Sequence, residues 1–120
     1  MTINQGEIWL VNFDPSIGSE IKKARPAVIV NHDMLGRFGI RIIVPITGWK
    51  DYYKEYPWIL KLEANSTNGL SKRSAIECFQ VKSFSQERFI KKIGVLDRDT
   101  IQNIHRTVLK TFNPIYELSK

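Results

Sequence analysis

"PAVIVNHDMLGRFGIRIIVPIT" spans Pro26 to Thr47, and its reading sets the architecture. Two apolar runs rich in β-branched residues, 26–32 and 40–47, flank a connection that contains Gly36 and Gly39. Each run reads as a strand, and the near-continuous apolar character of 26–32 implies a central place in a sheet or cover on both faces.

The rest of the chain extends the same pattern. "EIWLVNF" (7–13) reads as a first strand, stopped by Asp14-Pro15-Ser16, and residues 14–24 have the composition of a long loop. "PWILKLE" (57–63) predicts a fourth strand with Trp58, Leu60 and Leu62 on one side, followed by a turn at Asn68-Gly69. "SAIECFQVKSFS" (74–85) predicts one long fifth strand, and "FIKKIGVL" a sixth beyond the polar break at Gln86-Glu87-Arg88. After Asp97, an expected N-cap, the residues Ile101, Ile104, Val108 and Phe112 recur at helical spacing, and Pro114 bounds the helix. Short strands without intervening helices, plus one terminal amphipathic helix, predict a mainly β chain: a small antiparallel barrel closed or covered by that helix.

A chain of 120 residues fits one domain with one core, here residues 1–120, and 42% apolar with 25% charged residues excludes a disordered or fibrous class. No stretch approaches the roughly 18 consecutive apolar residues of a spanning helix, and "MTINQGEIW" lacks the pattern of a signal peptide, so a soluble cytoplasmic protein is the expectation. Cys78 is alone, which agrees with a reducing compartment and reads as a small buried hydrophobe. The formal charge of +6 favours polyanionic partners such as nucleic acid or an acidic protein segment.

No paired His or Cys spacing suggests a metal site, and there is no phosphate-cradling Gly-rich loop or nucleophile elbow. Asp97-Arg98-Asp99 reads as charge complementing a helix N-terminus. "WKDYYKEYPW" (49–58) packs five aromatics among lysines. It reads either as a core or interface segment or as a surface that stacks unpaired bases. RNA cleavage fits this inventory without a metal, because RNA carries its own nucleophile, the 2′-hydroxyl. A protein need only position it, stabilise the charge developing on phosphorus and assist two proton transfers. Arginine suits the charge, since its planar fork stays protonated and grips phosphate oxygens in two places.

In order and spacing, "QGEIWLVNFDPSIGSE", "ARPAVIV", "VPIT", "RSAIECFQVKSFSQERF" and "IGVLD" resemble the MazF/PemK (Kid) family of toxins, the endoribonuclease half of type II toxin–antitoxin modules. The resemblance implies an SH3-like β-barrel of the CcdB/Kid kind and a homodimer. It also implies metal-independent, cofactor-free, sequence-specific cleavage of single-stranded RNA to 2′,3′-cyclic phosphate and 5′-hydroxyl ends. A cognate antitoxin with an acidic disordered tail is the implied partner. By position Arg25 matches the catalytic arginine, Thr47 the catalytic hydroxyl and Glu20 an acidic loop position. Ser19, Lys22, Lys23, Trp49, Arg73, Gln80 and Lys82 fall where RNA contacts are expected, with Gln80 and Lys82 two apart on one predicted strand and hence on one face. Lys82-Ser83 and Phe79 depart from an arginine-threonine pair and an acidic residue common in the family, which bears on the bases recognised. The alternatives are a non-catalytic CcdB-like toxin, whose tryptophan-bearing C-terminus "PIYELSK" lacks, and a basic SH3-like module that binds RNA or peptide without cutting it.

Overall fold

The computed structural model describes residues 2–15, 17–20 and 23–115. Within them the strands are β1 (Glu7–Asn12), β2 (Ala24–Ile29), β3 (Ile40–Gly48), β4 (Ile59–Leu62), β5 (Ser74–Glu77), β6 (Lys82–Ser85) and β7 (Phe89–Val95), and the helix is α1 (Arg98–Phe112). Every strand pairing is antiparallel. The order across the sheet is β4-β5-β3-β2-β1-β7, with β6 added to β3. The mainly β architecture with a closing helix is therefore as expected. The barrel stays open between β4 and β7, where the turn before β5 crosses the gap and the Val95 N–H donates to the Thr67 carbonyl at 3.0 Å.

β3 organises the sheet because it is long enough to take three partners. Its Ile43–Pro45 segment pairs with β2, Ile40–Ile43 with β6 and Ile46–Gly48 with β5. This division corrects the single strand expected over 74–85. The chain turns at 78–81, where the Gln80 N–H donates to the Glu77 carbonyl at 3.0 Å. The two halves then lie on different stretches of β3, so the continuous apolar pattern conceals a corner. Gln80 consequently lies outside both strands, and it does not share a strand with Lys82.

Alternation along the central strands buries both faces. On one side Trp9, Val11, Phe13, Ala27, Ile29, Ile43 and Phe89 pack together; on the other Ile8, Val28, Val44, Ile46, Ile76 and Cys78 meet Ile101 and Ile104 of α1. The Asp97 carboxylate caps that helix by accepting from the Thr100 N–H at 2.8 Å. Two apolar expectations are corrected. Phe112 continues the helical stripe but is 64% exposed, because the cluster under the helix ends with Val108. Trp58 is 38% exposed and stacks on Tyr56 instead of entering the core, because β4 begins after it, at Ile59. Cys78 is buried as expected, and desolvation pushes its thiol up to about 12. Among the described residues no helix is long and apolar enough to cross a membrane.

Candidate functional site

The site arises where β2 and β3 part. Their pairing ends at Ala27 opposite Pro45. Beyond it, side chains two residues on, Arg25 and Thr47, point to the same face. Thr47 pairs instead with Ala75 of β5, and the separation opens a pocket of about 140 Å³. Arg25, Thr47, Gly48, Leu70, Ser71 and Lys72 are among its lining residues. Arg25 and Thr47, expected to act together, are thus brought to one cavity. One boundary is corrected: the strand expected from Pro26 starts at Ala24, so Arg25 lies within the ladder, opposite Val11. Pro26, which has no N–H to offer, follows at the point where β2 has lost its neighbour β3, a position where a strand tolerates proline.

Lys72 is a pocket residue that the sequence reading missed. Its ammonium lies 3.1 Å from where a side-chain carbon on residue 48 would stand, so Gly48 leaves the room it occupies. The stretch Leu70–Lys72 is positioned by the turn before it. Buried Asn68 accepts from the Asn65 N–H at 3.1 Å and the Leu70 N–H at 3.0 Å, and donates to the Glu63 carbonyl at 2.9 Å. Asn65 in turn accepts from the N–H groups of Thr67 and Asn68. An Asn-x-x-Asn-Gly pattern, which pairs two side chains able to mimic backbone, is the sequence signal for such a turn.

Glu20 does not line that pocket. Its carboxylate bonds Lys82 Nζ at 3.0 Å and accepts from the Ile17 N–H at 2.6 Å; Lys82 first, then the Ile17 N–H, holds its pKa below the usual range. Lys82 sits on β6 opposite Ile43, on the face that carries Arg25 and Thr47. The loop of Glu20 is thus tied to β6 by one ion pair. A second tie joins the same loop to the corner before β7, where Arg88 donates to the carbonyls of Asn12 and Asp14 at 3.1 and 2.6 Å. Lys23 has a left-handed backbone, φ 64°, and its N–H donates to the Asp14 carboxylate at 2.9 Å. Ser19 and Lys23 are exposed, while Lys22 lies outside the described residues.

The remaining candidates do not line the pocket. Trp49, half-buried, lies edge-on to Tyr53 and receives the Lys61 ammonium at 5.2 Å. Arg73 is exposed and pairs with Glu63 at 3.0 Å. Gln80 donates from Nε2 to the Glu77 carboxylate at 3.1 Å. Among the described residues no three His, Cys, Asp or Glu side chains stand close enough together to hold a metal ion.

A family model described as "PemK-like, MazF-like toxin of type II toxin-antitoxin system" matches residues 4–112. The chain is 37% identical over 99 residues to endoribonuclease MazF9 of Mycobacterium tuberculosis, covering 77% of this chain and 80% of that protein. Its fold is similar to the crystal structure of MazF from Deinococcus radiodurans, with a TM-score of 0.78 at 19% identity, covering 95% and 99% of the two chains. It is also similar to an endoribonuclease from a mycobacterial species in complex with its cognate antitoxin, with a TM-score of 0.73 at 12% identity, covering 96% and 99%. A match along this much of the chain, over a sheet that brings Arg25 and Thr47 to one pocket, places the protein in the PemK-like, MazF-like family of toxins of type II toxin–antitoxin systems.

Proposed function

We propose that this protein is the endoribonuclease toxin of its module. It cuts single-stranded RNA without a metal or other cofactor and so halts translation. The observation that carries the reading is the joint placement of Arg25 and Thr47 at the parting of β2 and β3. A phosphodiester seated there meets the guanidinium fork, the Thr47 hydroxyl and the Lys72 ammonium, donors that match the negative charge gained on the equatorial oxygens. The RNA 2′-oxygen attacks the adjacent phosphorus, the bond from phosphorus to the 5′-oxygen breaks, the departing 5′-oxygen takes a proton from solvent, and 2′,3′-cyclic phosphate and 5′-hydroxyl ends result. Glu20, kept ionised by Lys82, takes the 2′-proton once bound RNA draws its loop to the pocket, or the phosphate itself does. Arg25 stays protonated throughout, a poor base but a constant countercharge.

The same reading gives the protein a homodimeric form in the cytoplasm and, as partner, an antitoxin whose acidic tail is drawn to a chain of formal charge +6. The antitoxin-bound relative of similar fold supports that partner. The test is incubation of the purified protein with a single-stranded transcript in chelator beside Arg25→Ala. Loss of one charge-stabilising group should lower the cleavage rate by roughly 10²–10³-fold. RNA that is bound but stays intact with the unaltered protein would show a binding module instead.

A further inference from the structure

Glu77 is an acid in the middle of the apolar run "SAIECF", and it is 7% exposed. Its Oε2 accepts from Gln80 Nε2 at 3.1 Å, whereas Oε1 is buried without a hydrogen-bond partner among the described residues. A dry carboxylate oxygen left unpaired is costly, and natural structures seldom keep one that does nothing. No cation answers it, since all three ion pairs among the described residues involve other acids, Glu63, Glu20 and Glu7.

Its position says what it is for. Thr47 pairs with Ala75, and Glu77, two residues further along β5, projects on the same face. Diagonal neighbours of that kind lie ~7–8 Å apart, so Glu77 is one diagonal step along the sheet from the pocket's Thr47. Tyr53 is near enough to feel its charge: burial first, then Tyr52, then Glu77 raise the Tyr53 pKa. Tyr53 belongs to the short helical turn Asp51–Glu55, which contributes no buried residue and so can yield to an incoming group. Trp49 meets Tyr53 edge-on, which puts aromatic surface beside the same acid.

We infer that Glu77, held by Gln80, is a base-reading residue that accepts a hydrogen bond from the exocyclic amino group of a nucleotide next to the scissile phosphate. Adenine, cytosine and guanine carry such a group; uracil presents carbonyl oxygens to either side of its single imino N–H, which the carboxylate repels. The base enters by displacing the Tyr53 ring and stacks on neighbouring aromatic surface, the usual way single-stranded RNA is read. Burial pushes the Glu77 carboxyl upward, with the Gln80 amide opposing, as expected of an enclosed acid without a countercharge. A bound amino group favours the ionised acceptor.

This inference rests on the nuclease reading, and its test separates the two. A long transcript is digested in chelator by the unaltered protein, Glu77→Gln and Glu77→Leu, and all 5′-hydroxyl ends are mapped. The unaltered protein should require an amino-bearing base at one fixed position near the cut. Both variants should still cut, with preference at that position alone reduced roughly 10-fold or more. Variants that fold and cut the same sites at the same relative rates, or that lose all cleavage, overturn the role of Glu77 while leaving the nuclease intact. Absence of cleavage by the unaltered protein overturns the nuclease reading itself, and with it this inference.

Discussion

Asn68→Ala removes the side chain from which the loop under the pocket hangs. Asn68 is 1% exposed and makes three hydrogen bonds to backbone, to the N–H groups of Asn65 and Leu70 and to the Glu63 carbonyl. Each is worth about 0.5–1.5 kcal/mol net, so the variant loses roughly 3 kcal/mol if the freed groups reach water, and more if they stay dry. With an unfolding entropy of ~2.1 cal/mol/K per residue, a chain of 120 residues shifts its Tm by about 4 °C per kcal/mol. The expected drop is therefore about 12 °C, read by calorimetry or far-UV circular dichroism. Asn68→Asp keeps both accepting bonds but sets a carboxylate against the Glu63 carbonyl at an enclosed site, and should lose at least as much. Leu70, Ser71 and Lys72 line the pocket, so RNA cleavage should fall for Asn68→Ala well below its melting temperature. A variant that melts within about 3 °C of the unaltered protein would refute the claim that this residue supports the loop.

Other outcomes follow from the core and its charges. Burial tends to raise the Glu7 carboxyl, but the Asn4 N–H, the Trp9 indole and Lys92 outweigh it, and the net pKa lies below the ordinary 4.5. A carboxylate depressed on folding stabilises above its unfolded pKa and loses that contribution as pH falls through the folded one. Glu7→Gln should accordingly cost about 1–3 kcal/mol at neutral pH in urea unfolding, and the gap to the unaltered protein should shrink steadily below pH 4.5. Within the helix, Ile104→Ala should cost about 2–5 kcal/mol, since Ile104 is fully buried, while Phe112→Ser should change stability by less than about 0.5 kcal/mol. Equal losses for the two helix variants would contradict the exposure found at Phe112.

The strands nearest the pocket were legible because alternation and β-branched runs record burial directly. Ala27, Val28 and Ile29 are all fully buried, as a central strand requires. Arg25 and Thr47 were legible through resemblance, and chain order alone could not say that the two strands part between them. What escaped was polar and enclosed. Asn68 and Glu77 look like ordinary turn and surface residues, because their burial depends on segments distant in sequence, such as β7, whose Val95 N–H bonds the turn at Thr67. The corner at 78–81 escaped for the opposite reason: Cys78 and Val81 stay apolar through it, so periodicity shows no break. An acid inside an apolar run was the one visible clue to Glu77.

The ion pair between Lys82 and Glu20 joins two functions that evolution would otherwise adjust separately. Lys82 faces the proposed RNA path, and the same ammonium holds the loop that carries the proposed proton acceptor. Exchanging residue 82 to accept a different RNA also slackens that loop, so a change of sequence preference made there arrives together with a change of rate. Glu77 and Gln80 bond to each other and leave the loop untouched. Mutational drift in target choice can therefore accumulate at 77 and 80 while turnover is conserved. Across related toxins, residues at these two positions should vary independently of position 20, whereas positions 20 and 82 should change in step.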